Sequence, residues 1–117
     1  MYDLKTQFDV ERFLGKTLEQ VCFSKFQFEL FFSQSIQVRI EGQPWYSVSG
    51  ENFLLGDANL SPVLMIIGAL QTSVVEASTE KENNLSLTFE NGYKFFVYAD
   101  DQYESYHITA DGKTVTI

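Results

Sequence analysis

Between Tyr98 and Ile108 the chain reads YADDQYESYHI, which sets Asp100, Asp101 and Glu104 close to His107, the only histidine. Hard carboxylate oxygens at this density suit a divalent cation, and a histidine beside a carboxylate suits proton transfer. The spacing argues against both. The stretch lacks the D-x-[DN]-x-[DN]-G pattern and the distal glutamate of a calcium loop. If the residues after Asp101 enter a strand, Tyr103, Ser105 and His107 share one face and Glu104, Tyr106 and Ile108 the other, so Glu104 and His107 cannot meet on that strand. The reading is an acidic turn at Asp100 and Asp101 followed by a strand with an exposed histidine, and no metal site. Glu104 is assigned a structural role, either partly buried and braced by Arg39, Lys94 or a backbone N–H, or solvent-facing on an edge strand.

Other catalytic constellations are equally thin. Cys22, flanked by Val21 and Phe23, reads as a structural strand residue, and a lone cysteine forms no intramolecular disulfide. A serine or cysteine nucleophile needs a neighbouring base, and no nucleophile elbow, phosphate loop or dinucleotide fingerprint occurs. Sixteen acidic residues permit carboxylate pairs but specify no geometry. The expectation is a protein that is not an enzyme and uses no cofactor.

The elements that position these residues are mostly strands. Phe26, Phe28, Leu30 and Phe32 alternate with Gln27, Glu29 and Phe31, and after Ser33-Gln34-Ser35 the alternation returns as Ile36, Val38 and Ile40. Leu85, Leu87 and Phe89 lead through Asn91-Gly92, a strong hairpin-turn signal, into Tyr93, Phe95 and Val97, which gives Asn91 and Gly92 a structural role. FELFFSQSIQVRI from Phe28 aligns without a gap on LSLTFENGYKFFV from Leu85. Upstream, Leu14-Gly15 and Val21-Cys22 align on Ile67-Gly68 and Val74-Val75. Two pseudo-repeats, 14–42 and 67–98, are the expectation, with chance similarity of two amphipathic hairpins as the alternative. Between them NLSPVLMIIGAL predicts a short buried helix over about 61–67, with Ser61 as N-cap and Pro62 in the first turn. A second short helix starts at Asp9, with Val10, Phe13 and Leu14 on one face and Gly15 at its end. GQPWYSVSGENFLLGD reads as a loop anchored by Trp45, Tyr46 and Phe53. Phe31, Phe96 and Tyr98 fall on the faces opposite the core, where a helix or a partner must cover them. The fold class is α+β, mainly antiparallel sheet, in a single domain spanning 1–117.

The chain carries sixteen acidic and eight basic residues, a formal charge of −8. That charge repels phosphate backbones, so nucleic acid is not the expected partner. From Ile40 to Glu80 there is no Lys or Arg, although Glu41, Glu51, Asp57 and Glu76 fall there. The N-terminal MYDLKTQFDVERFLG resembles no signal peptide, and no segment approaches the ~20 apolar residues of a membrane helix. A cytoplasmic location without membrane attachment is the expectation.

The order of features, from Leu14-Gly15 through Ile67-Gly68 to LSLTFENGYKFFVYADDQYESYHI, resembles a bacterial family of small uncharacterised proteins. Asn91, Gly92, Tyr103, Glu104 and Ser105 carry the resemblance, and Tyr106 stands where a tryptophan is commoner in that motif. Such families are similar to immunity proteins of polymorphic or contact-dependent toxins. The resemblance implies a non-enzymatic immunity protein that occludes the active site of a basic toxin, a nuclease, and brings no catalytic residues with it. The acidic segments then supply the partner-binding residues: Glu41, Trp45, Tyr46, Glu51, Asp57, Asp100, Asp101 and Tyr103. The chain is expected as a monomer or homodimer. The alternative function is a small-molecule-binding or regulatory β-domain.

Overall fold

The computed structural model describes residues 4–23, 27–41, 45–48, 51–54, 68–80, 83–97 and 106–117, with 45–48 and 51–54 described through their backbone. Ten strands occur among these residues: β1 Leu18–Phe23, β2 Phe28–Phe32, β3 Ile36–Ile40, β4 Trp45–Val48, β5 Glu51–Leu54, β6 Val74–Glu80, β7 Asn84–Phe89, β8 Lys94–Val97, β9 Tyr106–Ala110 and β10 Lys113–Thr116. They form two five-stranded sheets, ordered β1-β2-β3-β9-β10 and β5-β4-β8-β7-β6, with every pairing antiparallel. The hairpin β4–β5 leaves the strands before it and pairs with β8, and β9–β10 pairs with β3. Each sheet therefore takes its outer hairpin from the other half of the chain.

Alternation explains the two central hairpins. In β3 the pattern is buried at Ile36, Val38 and Ile40 and half-buried between them, so one face looks into the core. The β7–β8 turn is a three-residue loop. Gly92 at φ 92° takes the left-handed position, its N–H donates to the Phe89 carbonyl at 2.9 Å, and Asn91 Oδ1 accepts from the Tyr93 N–H at 3.2 Å. One apolar core unites the sheets, drawing Leu30, Phe32, Val38 and Ile108 from the first and Leu85, Leu87, Phe89 and Phe95 from the second. Phe32 and Phe89 stack across it with centroids 6.4 Å apart, and Phe13 meets Phe32 edge-on at 5.4 Å.

The sheets join along a seam at the start of β1 and β6. Thr17 and Ser73 form an antiparallel bridge, with Leu18 N–H donating to the Thr72 carbonyl at 3.0 Å and Val74 N–H to the Lys16 carbonyl at 2.9 Å. Gly15 N–H donates to the Val74 carbonyl at 2.9 Å and Gln71 N–H to the Leu18 carbonyl at 2.8 Å. Each strand bulges just beyond the seam, between Leu18 and Gln20 and between Val74 and Glu76.

Several expectations change. Helix is confined, among the described residues, to α1 Leu4–Gln7 and short 3-10 turns, so the described fold is mostly antiparallel sheet. The helix expected over 61–67 lies outside the described residues. At Asp9 the cap forms, its carboxylate accepting from the Glu11 N–H at 3.1 Å, but the element it starts is the 3-10 turn Val10–Phe13. Leu14, expected on the buried face, is 42% exposed. Residues 45–48 and 51–54, read as loop, are strands β4 and β5. Their brevity and the surrounding Gly and Pro hid them; β8 supplies backbone partners to β4, and β4 to β5.

Candidate protein-binding face

One row of residues crosses all five strands of the first sheet. Cys22 pairs with Glu29, Glu29 with Arg39, Arg39 with His107, and His107 with Thr116. Their chain neighbours Leu30, Val38 and Ile108 are buried in the core, so strand parity turns this row to the outer face. Glu29 accepts there from Gln27 Nε2 at 2.8 Å and Gln37 Nε2 at 2.5 Å, one bond to each carboxylate oxygen.

Glu41, the residue after β3, closes the row over its centre. Its Oε1 lies 3.4 Å from Arg39 Nε and 3.5 Å from His107 Nε2, with the Arg39 and Glu41 side chains 40% and 44% exposed. At that exposure the Arg39–Glu41 pairing is worth under about 1 kcal/mol. His107 Nδ1 pairs with Thr116 Oγ1 at 2.9 Å, and either tautomer fits because the hydroxyl both donates and accepts. Arg39 Nε and His107 Nε2 are buried without a hydrogen-bond partner. Such atoms cost about 1–3 kcal/mol each when left unpaired, which makes this the least satisfied polar spot among the described residues.

His107 is thus 8% exposed, not the exposed histidine that an outward-facing strand position implied. Arg39, Glu41 and Thr116 surround it, and sequence alone gives no sign that they converge. Cys22 and His107 stand in one row but three strand spacings apart, about 14 Å at the usual ~4.8 Å per step, so they form no nucleophile–base pair. Among the described residues no three His, Cys, Asp or Glu side chains converge as a metal site would require.

Of the other expected partner-binding residues, Trp45, Tyr46 and Glu51 belong to the second sheet. Trp45 and Tyr46 are the backbone partners of Phe96 and Phe95 in the second sheet, and Glu51 pairs with Val48 across the β4–β5 hairpin. Asp57, Asp100, Asp101, Tyr103 and Glu104 lie outside the described residues, as does Tyr98. Phe31 and Phe96 are half-buried, with Lys94 Nζ 5.6 Å from the Phe96 ring centroid. Asn91 ties its turn to the chain before β6 by donating to the Gly68 carbonyl at 3.0 Å.

Beneath the row, Tyr106 is fully buried and its hydroxyl donates to the Asn83 carbonyl at 2.6 Å, while Asn83 Oδ1 accepts from the Leu4 N–H at 2.9 Å. Burial pushes the Tyr106 phenol above its ordinary pKa, since its anion would lose hydration without gaining a cation. Asn83 is a junction of α1, β7 and β9 that no sequence pattern announces.

These features define a mostly antiparallel β-protein with an acidic surface and a polar row across one sheet. Among the described residues no helix is long and apolar enough to cross a membrane. The chain belongs to DUF6188, a family of unknown function, whose model matches residues 10–117. Neither a curated protein nor a solved structure matches it.

Proposed function

We propose that the chain is a non-enzymatic acidic binding protein: an immunity protein that neutralises a cognate basic toxin, a nuclease, by occluding its active site. The observation that carries this reading is the unneutralised surface. Glu11, Glu19, Glu76 and Glu90 are exposed and enter no ion pair among the described residues, in a chain of net charge −8. Such a field steers a basic partner and raises its association rate. The test is affinity capture from the source cell with mass spectrometry. A basic protein retained at low salt and released at high salt is expected, and recovery of no basic protein overturns the reading.

A second reading, a small-molecule-binding domain, draws on a surface depression lined by Arg12, Lys16, Gln34, Ile36 and Asp111. A thermal-shift screen of small carboxylates and phosphates distinguishes it, because a ligand bound at a hundred times its Kd stabilises by about 2.7 kcal/mol.

The two halves of the chain are further proposed to be related units that exchange their last hairpins. Supporting this, β1 to β5 and β6 to β10 take matching places in the two sheet orders. The bulges fall at matching positions, and the seam hydrogen bonds come in reciprocal pairs. Thr17 N–H donates to Ser33 Oγ and Ser73 N–H to Glu90 Oε1, again at corresponding places. The seam matches Gly15 to Gln71 and Leu18 to Val74, three residues away from the alignment read from sequence.

A further inference from the structure

We infer that Leu14 and Val75, on one side of the seam, form the docking point for the basic partner, which presents an apolar side chain flanked by Lys or Arg. This rests on the reading of the chain as a binder of a basic protein. They are the exposed large hydrophobics of the described chain, at 42% and 51%. The backbone sets them together. Leu14 precedes Gly15, Val75 follows Val74, and Gly15 N–H donates to the Val74 carbonyl at 2.9 Å. Space is open above Gly15, where an added Cβ meets nothing within 4 Å.

The fold contains its own control. Across the seam, Gln71 N–H donates to the Leu18 carbonyl, setting Leu70 and Gln71 beside Glu19 as Leu14 and Gly15 stand beside Val75. The bulge residue on that side is an exposed glutamate, so the bulge itself does not require an apolar side chain. Val75 leaves half its surface in water and contributes correspondingly little to the core.

Carboxylates select the occupant. Leu14 N–H donates to the Glu11 carbonyl at 3.0 Å, the Val10–Phe13 turn packs against β6, Glu76 follows Val75, and Glu90 accepts from the Ser73 N–H. Glu11, Glu76 and Glu90 are exposed and free of ion pairs among the described residues. The cations of this region stand aside: Arg12 is held by Asp111 at 2.5 Å, and Lys16 lines the depression beside it. A second copy of this chain brings the same −8 charge and is repelled.

The test titrates the labelled protein, followed by backbone amide NMR, with two peptides of equal length and charge, one alternating Leu and Lys and the other with Gly in place of Leu. Shifts centred on Leu14–Lys16, Ser73–Glu76 and Glu90 are expected with the Leu/Lys peptide. Val75→Glu is expected to weaken that peptide about fivefold or more and to leave the Gly/Lys peptide no weaker, since it removes apolar surface and adds a negative charge. Glu19 at the matching bulge implies that the variant folds, and its thermal midpoint checks this. Shifts centred on other acidic residues, or an unchanged affinity for Val75→Glu, overturn the docking point while the basic-partner reading stands. Binding of neither peptide anywhere overturns both.

Discussion

Replacing Tyr106 by phenylalanine removes one hydroxyl from a fully buried ring and leaves the Asn83 carbonyl without the donor now 2.6 Å away. An unsatisfied buried carbonyl costs about 1–3 kcal/mol, and about 1.5 kcal/mol corresponds to a fall of about 6 °C in thermal midpoint for a domain of this size. The pH dependence carries the sharper signature. The folded-state pKa of Tyr106 is raised above the unfolded value near 10, so its contribution is fully present below about pH 10. As pH rises toward the folded pKa the unfolded chain releases a proton that the folded chain keeps. Stability then falls by about 1.4 kcal/mol per pH unit. Tyr106→Phe lacks this pH dependence, and the other titrating groups are common to both proteins. The variant is less stable at pH 8, draws level near about pH 11, and is the more stable above it. Urea unfolding across pH 8 to 11.5 follows both curves. A stability difference that does not change over that range refutes the placement of the phenol.

Other expectations follow from the turns and the polar row. Ser35 sits at φ 63°, where the matching turn has Gly92, so Ser35→Gly is expected to stabilise by about 1 kcal/mol in denaturant unfolding. Gly92→Ala, forced to φ 92° with open space around it, is expected to lose about 1–2 kcal/mol through backbone strain alone. Thr116→Val deprives His107 Nδ1 of its partner and is expected to cost about 1 kcal/mol, whereas Glu41→Gln, at a half-exposed site, changes stability by under about 1 kcal/mol. Phe89→Ala empties the centre of the core opposite Phe32 and is expected to cost about 3–5 kcal/mol, enough to unfold a marginal domain.

The hairpins β2–β3 and β7–β8 were legible because one face of each is buried, and burial writes itself as alternation. Strands β4 and β5 were not, since they are four residues each and β4 is paired by β8, remote in sequence. The exchange of hairpins between sheets was equally invisible: period-two patterning names a strand but not its neighbour. The candidate site divides the same way. Parity correctly separates His107 from Tyr106 and Ile108, yet an outward position normally means a wet one. His107 is dry because Arg39, Glu41 and Thr116 arrive from β3, the residue after it, and β10.

Growth measures the central claim most directly. The basic protein captured by this chain is expressed in a host with wild-type chain, with a variant carrying Glu11→Lys, Glu76→Lys and Glu90→Lys, or with neither. The account predicts arrest with the captured protein alone, recovery with the wild-type chain, and continued arrest with the folded charge-reversed variant. A captured protein without toxicity, or arrest that the wild-type chain leaves unchanged, contradicts it.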